Sequence, residues 1–191
     1  MRPYKPGGFD SKSRTHGLFH VDDNDYSIIP KVEEDLFYVI YRRAQTLFRA
    51  GKTWMRRSLY HRAGNVFLKA INSLKNCRMS SFEQECQQTD LLIGLLENLM
   101  VCFNKMRRPK CVCNAMKDLR RLTRNNPSWW ALCQVGRALD ALGKYHRARS
   151  SYIKALKKRP MEQSIKEEIT RISKRIGDLE ETERMLSQLS I

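Results

Sequence analysis

One stretch of this chain constrains its fold more than any other: WALCQVGRALDALGKYHRARSSYIKALKKRP, residues 130–160. Its small, aromatic and proline residues follow one another at gaps of twelve, four, three and five: Gly136, Ala148, Tyr152, Ala155 and Pro160. Small residues at helical spacing let two antiparallel helices approach closely, and the aromatic ring fills the space they leave. Gly143 is suited to end the first helix. The spacing predicts a helix–turn–helix unit of about 34 residues.

A second copy of this unit lies upstream, in residues 95–122. Met100 occupies the place of Gly136, and the second helix buries one face that carries Val112, Met116 and Leu119. Because Met100 and Val112 are bulky where the pattern has small residues, looser packing is expected in this copy.

A first copy precedes it. Ala63, Phe67 and Ala70 repeat the spacing of the third copy's second helix. With Ala44 as the mid-helix small residue, nineteen residues separate it from Ala63 instead of twelve. The pattern therefore predicts about seven additional residues near TWMRRSL, residues 53–59, which are either inserted or lengthen the helices, after a first helix that ends at Gly51.

Three copies are the minimum for a stable stack, and the period is typical of tetratricopeptide repeats. The chain is predicted to be all-α, with three tetratricopeptide helix–turn–helix repeats in a right-handed superhelix and a long C-terminal capping helix. The predicted segments are a mostly disordered arm (1–29), a repeat domain (30–160, with repeats at 33–76, 90–124 and 127–160) and a capping helix (161–191). A coiled-coil partner helix is the alternative for the last segment, whose isoleucines form one apolar stripe.

Composition limits the class of protein. The chain has 191 residues and a net charge of +16, which favours acidic partners: nucleic acid, an acidic peptide or an anionic membrane surface. No apolar run is long enough for a membrane helix, and residues 1–17 have no signal-peptide pattern. A cytoplasmic location is expected, with a nuclear one as the alternative.

Neither a metal site nor an enzyme is predicted. The six cysteines are read as reduced thiols that pack as small apolar side chains. Only His16 and His20 approach a zinc-ligand spacing, and no cysteine lies near them. No catalytic constellation or phosphate-binding loop is present, so no cofactor is expected.

The repeats resemble those in the C-terminal half of the large FK506-binding immunophilins, and within that group the germline, Shutdown-like branch. ENLMVCFNKMRRP is similar to their second repeat and GRALDALGKYHRARSSYIKAL to their third. The resemblance implies a protein-interaction domain without the family's isomerase half. A co-chaperone-like role or a germline small-RNA pathway is the expected setting.

The resemblance also implies a ligand site. In this family, Lys and Asn of the first repeat, Asn of the second, and Lys and Arg of the third grip the acidic C-terminal tail of heat-shock protein 90. In this chain these positions fall in turn on Tyr41, Gln45, Asn98, Trp130 and Gln134. All three cations are lost, each of which would contribute about 1.5–3 kcal/mol to a carboxylate contact.

A standard clamp is therefore not expected unless Arg42, Lys105 or Arg137 substitutes for the lost cations. The predicted function is a non-enzymatic adaptor that holds an apolar or mixed peptide or helix in a concave groove lined by the residues above. A clamp-type co-chaperone of heat-shock protein 90 is one alternative.

A basic RNA-associated scaffold is the other alternative. Its candidate patch consists of six cations near the turns of the second and third repeats: Arg107, Arg108, Lys110, Arg120, Arg121 and Arg124. No base-reading motif accompanies them, so RNA would be held through its backbone.

Overall fold

A computed structural model describes the backbone of residues 32–189 and the side chains of residues 36–182 and 184. The arm predicted for residues 1–29 lies outside the described residues. The described chain consists of helices joined by short turns and contains no strand. The helices are α1 (Val32–Arg56), α2 (Tyr60–Lys75), α3 (Phe82–Lys105), α4 (Pro109–Leu122), α5 (Trp129–Ala141), α6 (Tyr145–Lys158) and α7 (Gln163–Leu189).

Local sequence sets several helix ends. Ser128 caps α5 because its hydroxyl oxygen accepts the Ala131 N–H at 3.1 Å. Pro109 opens α4, where a missing N–H costs nothing. Gly143 follows α5 with φ of +70°, a conformation that glycine adopts without strain.

The helices pack as three antiparallel pairs, α1 with α2, α3 with α4 and α5 with α6. One continuous apolar core joins the pairs. Helix α7 packs on α6 and buries Ile165 and Ile172, which are 2% and 0% exposed. The fold prediction is confirmed: this is an all-α tetratricopeptide-repeat fold.

The structure corrects the register of the first repeat. A Cβ atom on Gly51 would lie 2.7 Å from Cδ1 and Cζ of Phe67, and one on Gly136 would lie 2.7 Å from Cε2 and Cζ of Tyr152. Each glycine stands sixteen residues before its ring. Gly51, rather than Ala44, is therefore the counterpart of Gly136.

Two predictions for the first repeat therefore change. Helix α1 does not end at Gly51 but continues to Arg56, so residues 53–56 lengthen the helix and are not an inserted segment. Gly51, Met100 and Gly136 each precede the first residue of the next helix by nine positions. Ala44 is also completely buried, so the sequence offered two small residues that suit a close helix contact.

Helix α3 begins eight residues before the predicted second repeat, at Phe82. Buried glutamines explain why apolar periodicity missed this turn. The Gln88 side chain donates to the Leu74 carbonyl at 2.6 Å, and the Gln84 side-chain oxygen accepts the Ser80 N–H at 3.0 Å. Polar residues thus occupy inward positions because they satisfy the backbone between α2 and α3.

Candidate functional site

The first helices of the three repeats share a face whose composition follows from the corrected register. Gly51, Met100 and Gly136 are the mid-helix residues of α1, α3 and α5. On each helix, the residues two before, one after and five after the mid-helix residue lie on one side, since they are spaced by three and four. These nine residues are Arg49, Lys52 and Arg56 on α1, Asn98, Val101 and Lys105 on α3, and Gln134, Arg137 and Ala141 on α5. Eight of the nine line two cavities, which together we call the groove.

The first cavity of the groove lies between α1 and α3 and has a volume of about 580 Å³. Arg49, Lys52 and Arg56 supply cations from α1, and Asn98 faces them from α3. The arrangement combines three positive charges with one amide, a set suited to carboxylates and peptide groups.

The second cavity lies among α3, α5 and α7 and has a volume of about 700 Å³. Lys105, Arg107 and Arg137 supply its cations, and Asn104 supplies an amide. Asn98 and Val101, which line different cavities, are one helical turn apart on α3, so the two cavities adjoin.

The groove is strongly positive. Six cations line it against one carboxylate, Glu168, which is already paired with Arg171 at 2.6 Å. Among the described residues, none of the six groove cations forms an ion pair; Lys52 lies over the Phe48 ring and Lys105 over the Tyr60 ring. Their charge is therefore available to a ligand.

An amide pair lies at the floor of the second cavity. Asn104 donates through Nδ2 to the backbone oxygen and to Oε1 of Gln134, both at 2.9 Å. Gln134 is only 1% exposed, and its Nε2 has no protein partner. The structure thus places Gln134 beneath the groove surface and Asn104 on that surface.

The other predicted groove residues separate into two sets. Asn98, Lys105 and Arg137 line the groove. Tyr41 stacks on Phe37 with ring centroids 5.6 Å apart and lines neither cavity.

Trp130 is 38% exposed and meets Trp129 edge-on at 5.6 Å, also away from the two cavities. Gln45 is half-buried and Arg42 exposed, and neither lines a cavity of the groove.

Sequence reasoning missed Arg49, Lys52 and Arg56 because it used the wrong register for α1. Trp130 and Gln134 precede Gly136 by six and two residues, so the matching first-repeat positions are Gln45 and Arg49, not Tyr41 and Gln45. The sixteen-residue spacing from glycine to aromatic ring was the available signal. In this register Arg49 occupies the position of the asparagine in the family's first repeat.

The predicted basic patch is divided between surfaces. Arg107 lines the groove, whereas Arg120 lines cavities between α4 and α6. Arg121 is 3.6 Å from Asp118. The remaining three, Arg108, Lys110 and Arg124, are exposed near the two ends of α4.

Among the described residues, no group of three His, Cys, Asp or Glu side chains is placed to hold a metal ion. All six cysteines are free thiols. Burial raises the pKa of both Cys102 and Cys133 to about 11. No helix within the described range is long and apolar enough to cross a membrane.

The fold and the groove define the chain as a tetratricopeptide-repeat domain. It superposes on the C-terminal tetratricopeptide domain of a putative FK506-binding protein from Plasmodium falciparum with a TM-score of 0.69 at 15% identity, covering 76% of this chain and 95% of that one. It also superposes on the first such domain of Spaghetti (RPAP3), solved with the HSP90 peptide SRMEEVD, with a TM-score of 0.58 at 18% identity, covering 71% and 94%.

In sequence, the chain is similar to the inactive peptidyl-prolyl cis-trans isomerase shutdown of Drosophila melanogaster, with 42% identity over 182 residues and 91% of this chain. The Bombyx mori protein of the same name is 29% identical over 152 residues, or 78% of this chain. The chain spans 40% and 35% of the lengths of these two relatives. No protein-family model matches the chain.

The predicted resemblance to the repeat half of FK506-binding proteins is confirmed. The chain has the tetratricopeptide-repeat fold of these structural neighbours.

Proposed function

We propose that this domain is an adaptor that holds an extended acidic segment of a partner protein in the groove. The observation that carries the proposal is the set of six cations around two adjoining cavities, with a single carboxylate that is already paired. Such a surface attracts carboxylates and repels basic segments.

The occupant differs from the apolar or mixed peptide expected from the sequence. That expectation placed Tyr41 and Trp130 in the groove, whereas the two cavities are lined by Arg49, Lys105 and Arg137 among others. Arginine and lysine bind carboxylates through charge-assisted hydrogen bonds, which are about twice as strong as neutral ones. The groove amides Asn98 and Asn104 are half-buried and donate through Nδ2 within the fold, so their side-chain oxygens are suited to accept from the backbone N–H groups of an extended ligand.

The related proteins support this choice of ligand. The Spaghetti domain, of the same fold, is solved with a peptide that contains three acidic residues. In the present chain the cations stand at other positions than in the family clamp, so a related ligand would be held by a different set of contacts. A co-chaperone role, through an acidic tail such as that of HSP90, is the corresponding proposal.

The proposed biological setting rests on the resemblance to the germline, Shutdown-like branch alone. Both relatives are named as inactive isomerases, in keeping with an adaptor that has no catalytic task. We propose a germline small-RNA pathway as the setting and the cytoplasm as the location.

Isothermal titration calorimetry with SRMEEVD as the probe tests the groove. The double variant Lys105→Gln/Arg137→Gln removes two groove cations while it keeps hydrogen-bonding side chains. Each lost charge-assisted contact costs about 1.5–3 kcal/mol, so the affinity should fall at least about tenfold.

The matched control is Lys166→Gln/Lys174→Gln, which removes the same charge from exposed positions on α7 outside the groove. It should bind within about twofold of the unmodified chain, because exposed distant charges are screened. Equal losses in the two variants would contradict the groove and indicate attraction to overall charge.

A further inference from the structure

A second positive surface lies on the second helices of the repeats. Helix α6 carries five cations and no acidic residue, and α4 carries four cations and one acidic residue, Asp118. Asp118 is paired with Lys75 at 2.8 Å. Six cations of this surface line two further cavities between the helices: Lys117, Arg120, Arg147, Lys154, Lys157 and Lys158. We call this surface the α4–α6 face.

The two cavities of the α4–α6 face adjoin, and together we call them the channel. Their volumes are about 470 and 360 Å³, and Arg120 and Lys154 line both. The channel therefore has cations on both walls, one wall from α4 and the other from α6. Neither cavity is lined by an acidic residue.

The charges of the face are not used by the fold. Among the ion pairs of the described residues, none involves these six cations. Lys158 only donates a hydrogen bond to the Asn126 side chain. Six cations around one channel repel each other, so an anionic ligand would relieve an unfavourable arrangement.

Apolar anchors are absent from the described part of this face. Large exposed hydrophobic side chains occur at ten described positions, and none lies within residues 107–127 or 144–160. Protein interfaces depend on apolar and aromatic anchors. Nucleic-acid interfaces are instead polar and strongly positive.

We propose that the α4–α6 face binds single-stranded RNA through its phosphate backbone. The strand would lie in the channel, with phosphates between Arg120 and Lys154, and Asn125 and Ser150 at the rim would supply polar contacts to phosphate or ribose. A concave channel with cations on both walls fits a narrow strand, whereas a flat bilayer would reach only protruding side chains. Binding should be independent of base sequence, since no base-reading motif is present.

The test measures fluorescence anisotropy of a labelled oligouridylate of about 15 nucleotides, a length within the range that single-strand binding sites cover. The full chain is titrated at about 50 to 200 mM salt, the range over which backbone binding weakens steeply. The test variant is Arg120→Gln/Lys154→Gln, which removes the two cations shared by both cavities.

The affinity of the test variant should fall at least about tenfold at the lowest salt, and the slope of log affinity against log salt should shrink by about 1.4, or about 0.7 per lost phosphate contact. The control Lys166→Gln/Lys174→Gln should keep both values. The groove variant Lys105→Gln/Arg137→Gln should also retain RNA binding, so this proposal and the groove proposal can fail separately.

Three results would overturn the proposal: no binding at low salt, equal losses in the test and control variants, or an unchanged salt slope in the test variant. Vesicles of phosphatidylserine and phosphatidylcholine serve as a further arm. If they compete with RNA and their binding depends equally on Arg120 and Lys154, the face is a membrane surface and the RNA assignment fails.

Discussion

Gly51 and Gly136 show how single residues determine the geometry of this repeat stack. Each allows the aromatic ring of the second helix to lie directly on the backbone of the first. This contact brings the paired helices close together and fixes which residues of α1 and α5 face the groove. The side chains of the groove therefore depend on two residues that do not line it.

Alanine at Gly51 or Gly136 should reduce the free energy of unfolding by about 1–3 kcal/mol, because the added methyl group overlaps a buried ring. Chemical denaturation of each variant provides the measurement. Gly177 supplies the control: a Cβ there would meet nothing within 4 Å, so Gly177→Ala should stabilise the helix by about 0.5–1 kcal/mol. A tolerated Gly51→Ala would contradict the assigned register.

The buried cysteines should be chemically inert. The pKa of Cys102 and of Cys133 is about 11, so almost no thiolate forms at neutral pH, and thiolate is the reactive species. Brief treatment of the native protein with iodoacetamide should modify exposed Cys86 and leave these two unmodified, as read by peptide mass spectrometry. Rapid modification of Cys133 in the folded protein would contradict this burial.

At the scale of elements, the sequence predicted helices well because the apolar spacing repeats in every copy. It failed where polar residues occupy inward positions, as Gln84 and Gln88 do at the start of α3. It also failed in α1, where both Ala44 and Gly51 could be the small mid-helix residue of the repeat. Both failures arise because contacts between helices, rather than the pattern within one helix, decide the position.

Helix α7 is fixed to the third repeat by charge as well as by its isoleucines. Asp140 on α5 is mostly buried and accepts hydrogen bonds from Arg171 at 2.7 Å and from Arg175 at 3.0 Å. These contacts raise the pKa of Arg171, with Asp140 as the main cause and Glu168 as the second. This network joins α5 to α7, two of the helices that line the second cavity of the groove.

Asp140→Asn should lower the free energy of local opening of α7 by about 1 kcal/mol, because a partly exposed ion-pair network contributes modestly to stability. Faster hydrogen exchange of α7 amides, with little change in α3, is the expected observation. Glu167→Gln, on the exposed side of α7, serves as the control and should leave exchange unchanged. If the α7 amides of the Asp140 variant exchange as slowly as those of the unmodified chain, the isoleucines of α7 alone hold the helix and the proposed contribution of Asp140 is wrong.

At the scale of the whole molecule, a chain of net charge +16 presents two positive surfaces within its described residues. Composition predicted an acidic partner but not where it binds. The groove gathers six cations from α1, α3, the turn between α3 and α4, and α5, and the α4–α6 face gathers six others. Only the packing of the repeats separates these sets, since residues such as Arg107 and Arg120 are near in sequence and line different cavities. The two surfaces leave room for one domain to hold a partner protein and a nucleic acid together.

Recognition of carboxylates by the groove can be tested with a pair of peptides. Calorimetry would compare SRMEEVD with its amide counterpart SRMQQVN, which has the same shape and lacks the acidic side chains. The acidic peptide should bind at least about tenfold more tightly than the amide peptide, and added salt should narrow the difference in affinity. Equal affinity for the two peptides, or no binding of either at high micromolar concentration, would contradict recognition of carboxylates by the groove.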